Sequence, residues 1–202
     1  MELVNPNIDP ALFNYAINNL QRYFPVTEEQ AVFMLNCSEI RNFSKRTVVL
    51  NVGEIEGYLS MVVSGLVRKY VRRGKNESTL QLATEGHIIH SEISFLKQNH
   101  SLVAIETIEP TTMIGISYKS LNHMLDHMPG GDRMGRQLLV AMFAKKDERH
   151  YKSLSLSTRE RFLDYLKNHP HMLQRVPQKH LASYLNIKPE TFSRLKHLVK
   201  LS

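Results

Sequence analysis

The stretch VPQKHLASYLNIKPETFSRLKHLVK, residues 176–200, predicts two short helices joined by a tight turn. Pro177 and Pro189 each suit the first turn of a helix, because a proline there sacrifices no intrahelical hydrogen bond. Asn186 lies where the chain must turn, and asparagine tolerates a left-handed backbone. This spacing is typical of a helix-turn-helix, the motif that many proteins use to read DNA.

The two predicted helices have an apolar inner face and a polar outer face. The inner face consists of Leu181, Ala182, Leu185, Ile187, Phe192 and Leu195. In a helix-turn-helix the second helix meets base edges in the major groove, where Arg194 could pair with guanine and Glu190 with the cytosine amino group. A second interpretation is that Glu190 only complements the helix dipole and that Arg194 and Lys196 are solvated.

The last third of the chain is basic. Residues 132–202 contain 15 Lys and Arg against 6 Asp and Glu, a balance of +9, whereas residues 1–131 contain 11 against 13, a balance of −2. A basic region on a nearly neutral body is typical of a nucleic-acid-binding domain. A solvated basic surface would explain the charge alone equally well.

The middle of the chain predicts short β-strands. The β-prone runs are TVVLNV, YLSMVV, LVRKYV, STLQLA, LVAIETI and TMIGIS. Turn residues separate these runs, among them Gly53, Gly65, Gly74 and Gly86. Several strands at this spacing predict an antiparallel sandwich or barrel.

Helices are predicted on both sides of the strands. Asp9 is a good N-cap for a first helix, and Thr27 with Gln30 forms a capping box for a second. Ser157 and Glu160 form another capping box near the C-terminus.

A longer helix is predicted from about Asp132 to Lys152, with one narrow apolar face. The residues on this face are Met134, Leu138, Ala141, Met142 and Lys145. We predict that this face packs against a second copy of the chain. The alternative is that the helix lies on its own domain.

Enzymatic and membrane functions find no support in the sequence. There is no glycine-rich phosphate loop, no nucleophile–base pair in a recognisable context and no catalytic metal motif, so we predict no catalytic residue, metal or cofactor. The single cysteine, Cys37, excludes an intramolecular disulfide. Without a signal sequence or an apolar run of membrane-spanning length, a cytoplasmic protein is expected. Metal or haem sensing stays open as a weaker alternative, through His87, His90, His100, His123 or His127.

Four segments in this order resemble the Crp/Fnr family of bacterial transcription regulators. They are NVGEIEGYLSMVVSGLVRKYV, ATEGHIIHSEISFL, TMIGISYKSLNHML and SLSTRERFLDYLKNHPHMLQRVPQKHLASYLNIKPETFSRLKHL. The last one resembles the winged-helix end of the subgroup found in Bacteroidetes-like bacteria.

The resemblance implies an α+β protein with three parts. Residues 1–128 would form a jelly roll of the cyclic-nucleotide-binding type, residues 129–154 a dimerisation helix, and residues 155–202 a helix-turn-helix domain. Since the sequence ends at Ser202, we expect the two-stranded wing of this domain to be largely absent.

The resemblance also assigns DNA-binding roles. Glu190 and Arg194 fall on the family's base-reading positions, with Lys188 and Thr191 near backbone phosphates, while Pro189 takes the place of an Arg that contacts a base in some members. The residues that we expect at the DNA are Gln178, Lys179, Lys188, Glu190, Thr191, Arg194 and Lys196. The expected function is that of a homodimeric regulator on a near-palindromic DNA site, for which the resemblance allows RNA polymerase contact. The alternative is a ligand-binding or scaffold module with weakened DNA binding that acts through protein contacts.

In the sensor half, family members that bind cyclic AMP carry a glycine-rich turn, a Glu for the ribose hydroxyl and, about ten residues later, an Arg for the cyclic phosphate. A buried phosphate requires such Arg pairing. No Arg occurs between residues 74 and 132 of this chain. We therefore expect no usual cyclic AMP binding, and either another small-molecule effector or none. The expected pocket residues are Gly86, Ser91, Glu92, His100 and Ser101.

Overall fold

The protein's computed structural model describes residues 8–199. The eight strands are β1 (Ser38–Phe43), β2 (Val48–Leu50), β3 (Tyr58–Ser64), β4 (Val67–Arg73), β5 (Asn76–Ala83), β6 (Ile88–Ile89), β7 (Ala104–Thr107) and β8 (Thr111–Ser117). The helices are α1 (Pro10–Leu20), α2 (Glu28–Cys37), α3 (Glu92–Lys97), α4 (Tyr118–His127), α5 (Gly131–Ser155), α6 (Thr158–Asn168), α7 (Met172–Arg175), α8 (Gln178–Tyr184) and α9 (Pro189–Val199).

The strands form two four-stranded antiparallel sheets. Their orders are β1-β8-β3-β6 in the first sheet and β2-β7-β4-β5 in the second. Val62 and Met113 of the first sheet pack against Val67 and Ile105 of the second, and all four side chains are almost completely buried. The predicted α+β fold with an antiparallel jelly roll is confirmed.

Strand β3 is apolar along most of its length because it is covered on both sides. Val62 faces the second sheet, whereas Met61 and Val63 pack with Ala16 of α1. Helix α1 begins as predicted, with the carboxylate of Asp9 accepting from the amide of Ala11 at 2.8 Å.

Two strands were not predicted. Strand β1, SEIRNF, pairs along its whole length with β8, but its mostly polar sequence lacks the apolar pattern of a strand. Strand β6 contains only Ile88 and Ile89, which pair with Met61 and Ser60. Both strands are held by pairing with distant partners rather than by local propensity.

Helix α5 begins against α4. Its first residue, Gly131, lies so close to α4 that a Cβ atom there would meet the carbonyl oxygen of Leu125 at 2.2 Å. The close approach lets Met134 enter the core formed by the N-terminal helices and α4. Helix α5 is about 37 Å long, given 1.5 Å per residue, and is the longest helix of residues 8–199.

Helices α6 to α9 form a compact C-terminal unit, here called the head. The predicted capping box of Ser157 and Glu160 opens α6. Helix α7, with only four residues, was not predicted. The predicted absence of a wing concerns the chain after α9 and lies outside the described residues, as do the outermost ends of the predicted domains.

The head and the jelly roll share one hydrophobic core. Leu66, Leu82 and Ile108 of the jelly roll belong to the same buried cluster as the interior of the head. The head residues of this cluster are Phe162, Leu166, Met172, Val176, Leu181, Ala182, Leu185, Ile187 and Phe192. Over residues 8–199, no helix combines the length and the apolar character needed to cross a bilayer.

Candidate nucleic-acid interface and sensor site

The turn between α8 and α9 has the conformation that the sequence predicts. Asn186 adopts a left-handed backbone with φ of 54°, and the amide of Ile187 donates to the carbonyl of Ala182 at 2.9 Å. The guanidinium of Arg161 donates to the carbonyl of Leu185 at 3.2 Å and to that of Leu156 at 2.6 Å. Arg161, which the sequence analysis missed, thereby fixes the turn to the end of α5.

Helix α9 presents a polar face to solvent because its other face is anchored in the head. Phe192 is completely buried and meets the ring of Phe162 edge-on, with ring centroids 5.2 Å apart. Glu190 and Arg194 are exposed and lie one helical turn apart. An exposed carboxylate and guanidinium at this spacing can hydrogen-bond to neighbouring base edges.

The other predicted DNA-contacting residues surround this face. Lys188 is exposed at the start of α9, while Thr191 and Lys196 are half-buried. Gln178 and Lys179 are exposed at the N-terminus of α8. All seven predicted residues are therefore at least partly accessible to solvent.

In the jelly roll, Ser91, Glu92 and Ser101 lie close together. The hydroxyl of Ser101 donates to that of Ser91 at 2.9 Å, and Glu92 begins α3. The amide of Ser91 donates at 3.1 Å to the carboxyl of Glu56, a buried residue that the sequence analysis missed. Burial raises the pKa of the Glu56 carboxyl, against hydrogen bonds from backbone amides that favour its ionised form.

Glu92 is paired within the chain. The ammonium of Lys69 donates to its carboxylate at 2.7 Å and to the carbonyl of His90 at 3.0 Å. Burial lowers the pKa of Lys69, while Glu92 opposes the shift. For Glu92, burial would raise the pKa, but the charge of Lys69 outweighs it and the pKa lies below its usual value.

Glu56, Lys69, Ser91, Glu92 and Ser101 are here called the cassette cluster. The polar groups of this cluster are partners of one another. The Ser91 amide donates to the Glu56 carboxyl, and Glu92 forms an ion pair with Lys69. A phosphate that approached the Ser91 amide would have to displace the Glu56 carboxyl. It would find no arginine from residues 74–132 to pair with it.

Two predicted pocket residues lie elsewhere. Gly86 packs against α1, where a Cβ atom would approach the Asn19 side-chain oxygen to 2.2 Å. His100 is exposed and donates from Nδ1 to the carbonyl of Gly53 at 2.6 Å. The structure therefore joins only three of the five side chains, because Gly86 lies against α1 and the imidazole of His100 is bound to the carbonyl of Gly53, 47 positions away.

The predicted apolar face of α5 is not its free face. Met134 is 3% exposed and packs in the chain's own core, where Leu138 joins it, which leaves Met134 little surface for the predicted contact with a second copy. Ala141 and Met142 are half-buried, and Lys145 lies over the ring of Tyr23. The opposite side exposes five large apolar residues, namely Leu139, Val140, Phe143, Tyr151 and Leu154.

Metal-binding residues do not converge within the described part of the chain. No group of three or more His, Cys, Asp or Glu side chains among residues 8–199 is arranged to hold a metal ion. His123 and His127 stack on each other with ring centroids 4.3 Å apart, and His90 packs edge-on against Phe95.

Comparison with known proteins supports the jelly-roll assignment. Residues 40–128, from β1 to just past α4, match the family model of the cyclic nucleotide-binding domain. A search of curated protein sequences gives no match.

Solved structures share the fold over most of the chain. The c-di-GMP-responsive global regulator CLP of Xanthomonas campestris is 19% identical, with 85% of this chain and 91% of that chain covered and a TM-score of 0.63. FixK2 of Bradyrhizobium japonicum is 18% identical, with coverages of 81% and 85% and a TM-score of 0.64. The catabolite activator protein of Thermus thermophilus is 19% identical, with coverages of 88% and 85% and a TM-score of 0.55.

These similarities define a fold class. The chain combines a cyclic-nucleotide-binding-type jelly roll with a helical C-terminal region, as regulators of the Crp/Fnr type do. At 18–19% identity, the likeness to these regulators extends to the fold and not to their ligands.

Proposed function

We propose that the protein is a homodimeric, sequence-specific DNA-binding transcription regulator. The observation that carries this proposal is the exposed polar face of α9, with Glu190 and Arg194 held outward by the buried Phe192. The basic last third of the chain and the fold shared with known regulators support it.

In this proposal Arg194 and Glu190 read base edges and the surrounding residues contact the backbone. Arg194 would pair with guanine, and Glu190 would accept from the cytosine amino group. Contacts to phosphates would come from Gln178, Lys179, Lys188, Thr191 and Lys196, which carry affinity but little sequence information.

The exposed apolar side of α5 is proposed as the contact with a second copy. Leu139, Phe143 and Leu154 recur along one side of the helix, and soluble monomers rarely expose so long an apolar stripe. Two copies joined along α5 would present two heads to half-sites about 34 Å apart, one turn of DNA. Phe143→Glu should give monomers in sedimentation analysis, and a dimer of unchanged stability would refute this contact.

The cassette cluster supports the proposal that the protein does not bind cyclic AMP in the usual way. Its amide and carboxylate groups already have partners in Glu56 and Lys69. Calorimetric titration with cyclic AMP, cyclic GMP and c-di-GMP tests this. Micromolar binding of cyclic AMP would contradict it, and micromolar binding of c-di-GMP would identify a different effector.

The decisive experiment is the selection of bound sequences from a random DNA duplex pool, without added ligand. Wild type should enrich a near-palindrome, and Arg194→Ala should lose that preference. Lys167→Ala, which removes an exposed charge on α6 of the same head, is the matched control and should enrich the wild-type site.

The same selection decides between the proposal and its alternative. The position of Pro189, where some related proteins have a base-contacting arginine, favours weakened DNA reading. If neither wild type nor the control enriches any sequence, also with the titrated ligands added, the chain is better described as a module that acts through protein contacts.

A further inference from the structure

Arg175, the last residue of α7, joins the head to one end of the jelly roll. Its guanidinium donates to Glu85 through two nitrogens, each at 2.8 Å, and to Glu109 at 2.7 Å. It also donates to the carbonyl of Gly65 at 3.0 Å. One side chain of the head thus engages three separate turns of the jelly roll, a geometry that suits the fixed donor fork of arginine.

The three turns form a rigid acceptor site. The amide of Gly65 donates to Glu85 at 2.9 Å. Gly65 has φ of +107°, and a Cβ atom there would lie 2.4 Å from the carbonyl oxygen of Pro110, so the turn admits only glycine. Burial would raise the pKa of Glu85, but the hydrogen bonds and the charge of Arg175 outweigh it and hold the pKa at about 2, so the carboxylate is ionised at neutral pH.

A second set of contacts fastens α8 to strands β4 and β5. The guanidinium of Arg68 donates to Nδ1 of His180 at 3.0 Å, and the amide of Thr79 donates to the hydroxyl of Ser183 at 2.9 Å. Since arginine only donates, His180 accepts at Nδ1 and is neutral there. From α5, Arg149 donates to the carbonyl of Leu80 and lies over the ring of Tyr184 at 4.1 Å.

The docked head keeps its DNA-facing residues free. Helix α8 meets the jelly roll through His180 and Ser183, whereas Lys179 at its N-terminus and Glu190 and Arg194 on α9 stay exposed. The docking contact therefore holds the head without covering the face proposed to read DNA.

We propose that Arg175, with Glu85, Glu109 and the Gly65 carbonyl, is an interdomain clasp that fixes the orientation of each head and thereby sets the half-site spacing that the dimer accepts. The inference rests on the proposed function, because it concerns two heads on one DNA site. Once one head has bound its half-site, a second head of fixed orientation meets the other half-site at a high effective concentration. A loosely tethered head would be spread over many positions, and its effective concentration at that half-site would be lower. Arg175 is a positioning residue and contacts no DNA itself.

The test compares wild type with Arg175→Gln, which keeps a long polar side chain but loses the charge and most donors. The matched control is Arg22→Gln, which removes the same charge at an exposed position after α1. Each protein is titrated with the selected palindrome, with a single half-site, and with palindromes whose half-sites are moved apart by one and two base pairs.

We expect Arg175→Gln to bind the full palindrome about tenfold more weakly, with half-site binding changed less than about twofold. Its preference for the native spacing should also become weaker. Arg175→Lys should lie between, because an ammonium cannot serve all three partners. Unchanged binding of all duplexes would overturn the proposal, and tighter binding of the palindrome would show that the clasp restrains rather than positions the head.

Hydrogen exchange without DNA separates the clasp from the proposed function. In Arg175→Gln the amides of β5 and α8 should exchange faster, while those of β3, inside the sandwich, should keep their protection and show that the jelly roll is folded. Unchanged exchange in β5 and α8 refutes the clasp whatever the DNA result. If wild type selects no DNA but exchange accelerates, the clasp stands as a domain contact and its role in DNA spacing is refuted together with the proposed function.

Discussion

The cassette cluster and the outer face of α9 contain the same kinds of charged groups in opposite situations. In the cassette, Glu92 is paired with Lys69, whose side chain is only 5% exposed. On α9, Glu190 and Arg194 point into solvent. Charge satisfied inside the chain contributes to the fold, whereas charge left outside is available to a partner. The comparison locates the proposed interaction surface in the head rather than in the jelly roll.

The largest expected effect is a loss of stability when the ion pair of Lys69 and Glu92 is broken. Lys69→Ala leaves Glu92 without its cation and should lower the free energy of unfolding by about 3 kcal/mol in urea titration. Arg72→Ala, which removes the exposed partner of Glu77, is the control and should cost less than about 1 kcal/mol. Equal losses in the two variants would show that burial does not distinguish the pairs. The double change Lys69→Met and Glu92→Leu should recover most of the loss.

A change on the outer face of α9 should affect DNA binding and leave stability almost unchanged. Arg194→Ala should change the free energy of unfolding by no more than about 0.5 kcal/mol, because the side chain is exposed. On the selected DNA site it should cost about 1–3 kcal/mol of binding free energy and relax specificity at one base position. A stability loss as large as that of Lys69→Ala would mean that Arg194 serves the fold.

Mild acid should lower the free energy of unfolding, because three histidines that are at least partly buried resist protonation in the folded chain. Burial, together with nearby cations, lowers the pKa of His87, His90 and His180 to about 4. An unfolded histidine titrates near 6.5, so between these values the unfolded chain binds more protons and falling pH favours unfolding.

For the deeply buried His90, the free energy of unfolding should fall by about 1–2 kcal/mol between pH 7 and pH 5. Urea unfolding curves recorded at the two pH values measure this loss. His90→Gln should reduce the pH dependence, while His150→Gln, at an exposed position on α5, should leave it unchanged. Identical midpoints at both pH values in wild type would contradict the prediction.

The smallest effect on DNA binding is expected from Lys179, at the N-terminus of α8. Lys179→Ala should weaken binding to all DNA sequences equally, because a phosphate contact carries no sequence information. The slope of log affinity against log salt should become shallower by about one unit. A change in the selected sequence would instead indicate that Lys179 reads a base.

The predictable parts of the fold are those set by neighbours in the sequence. The capping box of Thr27 and Gln30 and the left-handed turn at Asn186 depend on residues at most five positions apart, and both are confirmed. Strand β1 could not be predicted from its own sequence, because its pairing with β8 joins residues more than 65 positions apart. Helix α5 was predicted together with an apolar face, but the pattern could not show that Met134 and Leu138 of this face pack in the chain's own core.

The candidate sites follow the same rule. Exposed residues such as Arg194 could be named from helical periodicity, because the side opposite Phe192 must face outward. Glu56 and Lys69 could not, since their partners Ser91 and Glu92 lie 35 and 23 positions away. Arg175 ends a four-residue helix that has no recognisable sequence signal, and its carboxylate partners lie 66 and 90 positions away. Contacts of this kind become visible only once the chain is folded.

The hydrophobic core that the head shares with the jelly roll limits how this chain can be engineered. Exchange of sensor domains between regulators assumes that a head can be cut out and joined to a foreign sensor at one linker. Here the cut would leave Leu66, Leu82 and Ile108 exposed on one fragment and their apolar neighbours exposed on the other. A working biosensor chimera would have to transplant the apolar patch of Leu66, Leu82 and Ile108 together with the head. The portable unit is therefore larger than the helix-turn-helix that its sequence suggests.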